Sequence, residues 1–513
     1  MKERVNSWLD SIKAFSHPRV ITMLFLGFSA GIPILLIFSS LGLWLNEAGI
    51  KKSTVTLFSW AALGYSFKFV WAPLIDRLPV PYLTKILGRR RAWMLIAQLM
   101  IVFSIILMAT TNPISSQEAL HIMAIGAVLL GFSSATQDIV IDAYRIESAK
   151  VELQSMMAAT YITGYRLGML VAGAGALKLA YYFGSSKNTY VYDAWFLTYV
   201  IMASVMLVGI ITTLIISEPK KAEEEKYLKE NTSYYLKLFA LFLVAVLSFI
   251  MIYFLSVDLV KVYKKLLTDI FLNRFLSSFV VETLRLVLAI FIAWLVIKFI
   301  IVLRIIDERI VVDTYINPIK DFFKRYGTKI ALLLLLVIGF YRVSDIVMGV
   351  IANIFYQDIG FSKDEIANIS KTYGLFMTIA GSFVGGILSM RYGVFRILLT
   401  GAVLASITNL LFILLANVGH DKFLLYVIIS ADNLSAGLAQ AAFIAFISSL
   451  TNIKFTAVQY AVFSSIMTLF PKILGGYSGS IVESFGYSNF FTLTAIMGIP
   501  VLYLVWKIRK YII

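Results

Sequence analysis

Residues 73–91 read PLIDRLPVPYLTKILGRRR, a charged and proline-rich stretch set between two long apolar runs. It holds Asp76 and Arg77 at its start and Gly88, Arg89, Arg90 and Arg91 at its end. Residues 385–396, GGILSMRYGVFR, repeat its character with Gly385, Gly386, Arg391, Gly393 and Arg396. Each stretch follows the second run in a set of six. Such runs, of about 20 residues, are long enough to cross a hydrocarbon core about 30 Å thick.

Composition agrees with a chain that lives in lipid. Of its 513 residues, 60% are hydrophobic and 14% charged, and the mean hydropathy is +0.86. A typical soluble chain has about 45–50% apolar and about 25% charged residues. The spans must satisfy their own backbone hydrogen bonds, which makes them helices. We read an all-α polytopic membrane protein with fourteen spans. Six lie near 20–44, 54–75, 92–110, 120–144, 156–183 and 194–216. A polar stretch, 217–233, leads to two more near 234–257 and 281–306. A charged connector near 307–328 leads to six near 329–357, 365–390, 395–416, 423–450, 456–482 and 489–508. The domain division is 1–216, 217–328 and 329–513.

The net charge is +16. It sits in loops rather than in a nucleic-acid patch, so nucleic acid is not an expected partner. Lys2, Arg4, Lys13 and Arg19 precede the first span, and the second and fourth loops are basic, whereas the third has no Lys or Arg. Both termini are therefore expected in the cytoplasm. The segment 258–280 objects: it should be external yet holds Lys261, Lys264, Lys265 and Arg274. Either it lies as an amphipathic helix on the membrane surface, or the middle pair does not span. The N-terminal run is read as a retained first helix rather than a cleaved signal.

Ionised side chains at the centre of a span cost about 2.5–3.5 kcal/mol and usually face a cavity or a partner. Lys68 lies in the second span, Asp138 and Asp142 in the fourth, within SSATQDIVIDAYR (133–145), and Arg166 in the fifth. Lys68, Asp138 and Arg166 are expected at comparable depth, where one acid and two bases can form a charge network. Asp142 lies one turn from Asp138 on the same face, near enough to Arg145 to be a solvated helix end instead. The later half contributes Arg342 and Asp345, Lys371, Asp432 and Asn433, with Gln440 two turns on. Interhelical salt bridges explain any one of these; together they argue for a polar cavity. Glycine-rich runs such as GFSAGIP and GYRLGMLVAGAGA fit close helix packing. There are no cysteines and only three histidines, so nucleophilic, disulfide and metal chemistry are not expected, nor is any cofactor.

Basic loops after even-numbered helices also follow from the positive-inside rule alone. Their recurrence at one place in two six-helix halves, however, resembles the major facilitator superfamily. Further strings resemble the muropeptide permease (AmpG) family within it: FKFVWAPLIDR, SSATQDIVIDAY, GYRLGMLV, SKTYGLFMTIAGSFVGGIL and FTAVQYAVFSS. This resemblance implies a carrier in the inner membrane of Gram-negative bacteria. It would import N-acetylglucosaminyl-1,6-anhydro-N-acetylmuramyl peptides for cell-wall recycling, driven by the proton-motive force. Separately, the chain is expected to function as a monomer. Onto this chain it carries Lys68, Gln137, Asp138, Asp142, Arg166, Asp345, Lys371 and Asn433 as site positions. Arg342 and Asp432 stand on membrane cost alone.

The chain departs from the family in placing its extra helix pair between the halves, at 234–306, rather than at the C-terminal end. Gln137 and Asp138 are expected to face the cavity, with Asp138, balanced by Arg166 or Lys68, carrying the proton. Lys68, Arg166, Arg342 and Lys371 are expected to supply cations for substrate carboxylates. The alternatives are a carrier of acetyl-coenzyme A, peptide, nucleotide or drug on the same scaffold, or a non-transporting membrane sensor.

Overall fold

The computed structural model describes residues 8–51, 54–55, 58, 63–186, 189–219, 232–271, 274–362, 365–475 and 478–512. Most of the polar stretch 217–233 and the start of the second span therefore lie outside the described residues. The first half contains α1 (Pro18–Glu47) and a broken α2. Its pieces Leu63–Phe67 and Ala72–Arg77 are joined through a tight 3₁₀ turn at Lys68–Val70. Then come α3 (Arg89–Ala109) and α4 (Gln117–Ser148). The fifth helix, α5, runs from Val151–Leu170 through a π turn at Val171–Gly175 to Ala176–Tyr182. α6 is Tyr192–Ile215. The insertion holds α7 (Thr232–Leu255), α8 (Val257–Phe271) and α9 (Arg274–Val302). The second half opens with α10 (Asn317–Phe340), bent at Gly327, and α11 (Val343–Asp358). α12 (Ile366–Tyr392), α13 (Val394–Val418), α14 (Lys422–Leu450), α15 (Thr456–Gly475) and α16 (Ser478–Ile512) complete it.

Among the described residues, twelve helices are long and apolar enough to cross a membrane. α2 and α5 lie outside that count, so twelve of the fourteen expected spans meet it. Two of the helices carry charge at an irregular point. Lys68 opens the turn in α2, and Lys371 sits in a π segment, Ile366–Tyr373, at the start of α12. A third charge, Arg342, stands at the break between α10 and α11. Non-helical backbone at membrane depth is tolerated where protein or a water-filled cleft shelters it, and π segments gather at functional sites.

Glycines lock α1 to α5. A Cβ on Gly27 or Gly31 would strike the backbone carbonyls of Tyr161 and Tyr165. One on Gly164 or Gly168 would strike those of Leu24 and Phe28. Gly381 and Gly437 bring α12 and α14 equally close. The two charged loops match in backbone as well as in sequence: Gly88 and Gly393 start α3 and α13 with φ of 87° and 89°, a conformation glycine adopts without cost.

The halves meet at the end that carries both chain termini. Ala158, Ala159 and Ile162 of α5 pack with Ala441 and Ile444 of α14. Phe15 tilts against Phe383 at 4.8 Å, and the Ser155 hydroxyl donates to the Gly386 carbonyl at 3.3 Å. At the opposite end the apolar clusters separate. One, around Trp44, Trp195 and Tyr199, is drawn from the first half. Another, around Phe355, Phe412 and Phe491, is drawn from the second. The cleft between the halves is thus sealed at the terminal end.

Residues 222–321, with 76–78, form a separate compact unit. The spanning windows in α7 and α9 are only 11% buried, against 72% for α14, so most of their apolar surface faces outward, as suits helices solvated by lipid. The segment that objected to the expected topology resolves into the amphipathic helix α8. Its Lys264 pairs with Glu282 at 2.6 Å. Arg285 of α9 pairs with the same carboxylate at 3.2 Å and lies 3.7 Å from the Tyr253 ring centre. The Lys264–Glu282 pair ties α8 back to α9, and Arg285 joins α9 to α7.

Candidate functional site

The helical spacing of α4 places Asp138, Asp142 and Arg145 on one face. Arg145 is fully buried. Its guanidinium donates to Asp142 at 3.2 Å, to Gln154 at 3.2 Å and to Ser448 of the other half at 2.7 Å. It also lies 5.2 Å from the Tyr460 ring centre of α15. Lys68 approaches Asp142 from α2 at 3.8 Å. Asp142 is therefore not a solvated helix end: it is 8% exposed, held between two cations, and part of the seal between the halves. Asp138, one turn deeper, is also 8% exposed. The Tyr161 hydroxyl of α5 donates to it at 3.5 Å.

Two expectations are corrected. Gln137 does not face the cleft. It is fully buried, and its amide donates to the Ser29 hydroxyl of α1 at 3.1 Å, fastening α4 inside the first half. Nor does Arg166 join Lys68 and Asp138. Its charged neighbour is Arg342 of the other half, and the two repel. Depth explains the difference. Arg166 lies about fifteen residues, roughly 22 Å, into α5, whereas Asp138 lies about ten residues, roughly 15 Å, from the terminal end of α4.

A second polar group surrounds that deeper level. Asp432 of α14 accepts from Thr408 of α13 at 3.4 Å. Asn433 accepts from Thr378 of α12 at 2.8 Å. Asp345, one turn beyond Arg342, is attracted to it without reaching ion-pair distance. Gln440 is half-buried and Lys371 is exposed. Among the described residues no cluster of His, Cys, Asp and Glu is arranged to hold a metal ion.

The charged loop of the first half is a structural knot. Arg90 grips Glu147 at the end of α4 with two bonds of 2.6 and 3.0 Å, the paired geometry guanidinium favours. Glu218 caps α3 by accepting the backbone N–H groups of Arg90 at 2.7 Å and Arg91 at 3.0 Å. A side chain on Gly88 would collide with Glu218. Arg91 donates to the Thr213 and Leu214 carbonyls that end α6. Arg89 and Asp76 are buried, and Arg77 donates to the Asp313 carbonyl at 2.9 Å. Sequence reasoning missed Arg145 as the cross-half link, and with it Tyr161, Tyr460 and Ser448. Membrane cost flags charges, whereas hydroxyl partners leave no such mark.

Two helical halves closed at one end, with charges at their helix breaks, define a membrane carrier rather than an enzyme. The sequence profile of the Major Facilitator Superfamily matches residues 20–341 and 330–511. Solved structures agree in fold. One is a proton:xylose symporter, XylE, bound to 6-bromo-6-deoxy-D-glucose, with TM-score 0.58 and 12% identity over 97% of this chain and 96% of that one. Another is the human organic anion transporter TETRAN, with TM-score 0.55 and 13% identity over 95% and 99%. Nearer relatives come from Rickettsia. Proteins with the provisional name transporter AmpG 4 are 30% identical in Rickettsia conorii, over 96% of this chain and 97% of that one, and 31% identical in Rickettsia felis, over 97% and 98%. The anhydromuropeptide permease of Escherichia coli K12 is 29% identical over 97% of this chain and 81% of that protein. The chain belongs to the AmpG family of the major facilitator superfamily.

Proposed function

We propose that this protein carries cell-wall anhydromuropeptides from the periplasm to the cytoplasm across the inner membrane of a Gram-negative cell, by proton-driven alternating access. The similarity to the Escherichia coli anhydromuropeptide permease over 97% of this chain carries the choice of substrate. Geometry supports the mechanism. Lys and Arg in the short loops favour cytoplasmic termini. With that orientation, a cleft sealed at the terminal end is the state that receives cargo from outside. Import then requires the Arg145 seal to part while the opposite ends close, the two halves rocking around the buried charges.

Asp138 is the proton carrier in this scheme. It is the acid nearest the seal that no cation grips directly, and intramembrane acids in such positions commonly relay protons. Protonation there reduces the negative charge facing Lys68 and Asp142 and so bears on the seal. The test is uptake of labelled anhydromuropeptide by cells lacking their own permease and expressing this chain. Uptake should occur and an uncoupler should abolish it. No uptake, with the protein shown to be in the membrane, would assign the scaffold to another cargo.

A further inference from the structure

The cations of the site fall into two sets. Lys68 and Arg145 are held by acids and by the seal. Arg166, Arg342 and Lys371 are different: among the described residues no hydrogen bond or ion pair holds any of them. Arg166 and Arg342 are half-buried and Lys371 is exposed, so each keeps surface that a ligand can reach. Arg166 belongs to the first half, Arg342 and Lys371 to the second.

Depth brings the two arginines level. Arg342 lies about fifteen residues past the Gly327 bend, roughly the 22 Å at which Arg166 stands in α5. They are near enough to repel. Arg342 also sits on broken backbone, as the residue before α11, with no side chain capping that helix. The unpaired N–H groups at the start of a helix favour an anion. Asp345 lies in the first turn of α11 but comes within ion-pair reach of neither arginine.

We infer that Arg166 and Arg342 form a split anion site, one arginine from each half, and that a carboxylate of the cargo closes the cleft by bridging them. Empty, the pair holds the halves apart through like-charge repulsion. A carboxylate accepts from both guanidinium forks at once, which turns the repulsion into a bridge. A neutral ligand of the same shape leaves the repulsion in place. A ligand moves a two-state equilibrium only through its different affinity for the two states. Charge supplies that difference here, and Lys68, occupied by Asp142, contributes nothing to it.

This inference rests on the muropeptide reading, and the experiment separates the two. The chain has no cysteine, so Tyr182→Cys and Phe423→Cys, exposed near the ends of α5 and α14 away from the termini, can be labelled as a pair on otherwise native protein. Purified protein is offered an anhydromuropeptide with free carboxylates, or the same compound with every carboxylate converted to carboxamide. The free acid should bind at least about tenfold more tightly and shorten the distance between the labels. In Arg166→Gln and in Arg342→Gln that preference should fall to within about twofold, while each variant keeps a cooperative melting transition, which shows that it is folded. Equal binding of both forms by the parent protein, or equal closure by the amide, would overturn the split anion site and leave the muropeptide reading standing. Binding of neither form would overturn both.

Discussion

At the level of single residues, cost in the membrane identifies the charges but not their partners. Lys68, Asp138, Asp142, Arg166, Arg342, Asp345, Lys371 and Asp432 are each expensive in a span, and for that reason all were legible in the sequence. Which of them meet was not. Arg145 shows why. Beside the basic helix end it reads as an interfacial residue, yet it is fully buried and bonds Ser448 across the halves at 2.7 Å. Only packing between distant segments supplies that partner. Removing one member of a buried charged pair typically costs about 3–5 kcal/mol, because the other is left uncompensated. Arg145→Ala should therefore lower the melting temperature of the purified protein. It should also expose a cysteine placed at Ser155, now buried against Gly386, to maleimide. An unchanged labelling rate would remove Arg145 from the seal. Asp138→Asn should preserve substrate binding and abolish accumulation driven by a proton gradient. Normal accumulation would make Asp138 a structural residue.

At the level of elements, the sequence shows helices by apolar length and glycine runs by composition, but not which helices the glycines join. The structure assigns GFSAGIP and GYRLGML to one interface, where α1 and α5 touch backbone to backbone. Gly164→Ala should cost about 1–3 kcal/mol through overpacking, read as a drop in melting temperature. A neutral result would show that α1 and α5 are free to separate. At the opposite end, Glu365 before α12 bonds Lys422 at 2.7 Å and His420 at 3.1 Å. The Lys422 ammonium, aided by the Ser362 backbone N–H and by His420, pulls its carboxyl from 4.5 to about 2. Because the folded value is the lower one, this tie stabilises fully above pH 4.5 and is lost as pH falls to about 2. The melting difference between the parent protein and Glu365→Gln should be constant above about pH 4.5 and vanish near pH 2. A difference that persists at pH 2 would mean that the carboxylate is not its source.

At the scale of the whole molecule, the repeat was the most legible feature. PLIDR…GRRR and GGILSMRYGVFR stand at corresponding places, and Gly88 and Gly393 share their backbone conformation within 2° of φ, 87° against 89°. The insertion was legible as two spans. That its basic connector folds back as α8 was not, because the Lys264–Glu282 pair joins residues on separate helices. Since 222–321 packs largely within itself, removal of 234–306 should leave uptake intact. Loss of uptake, with the shortened protein present in the membrane, would assign the insertion a part in transport.

The most direct test of the account uses the purified chain alone in proteoliposomes, with labelled anhydromuropeptide outside and a proton gradient imposed, acid outside. The account predicts accumulation that collapses when a protonophore is added. A gradient-independent signal, or none from protein that is folded and inserted, would contradict it.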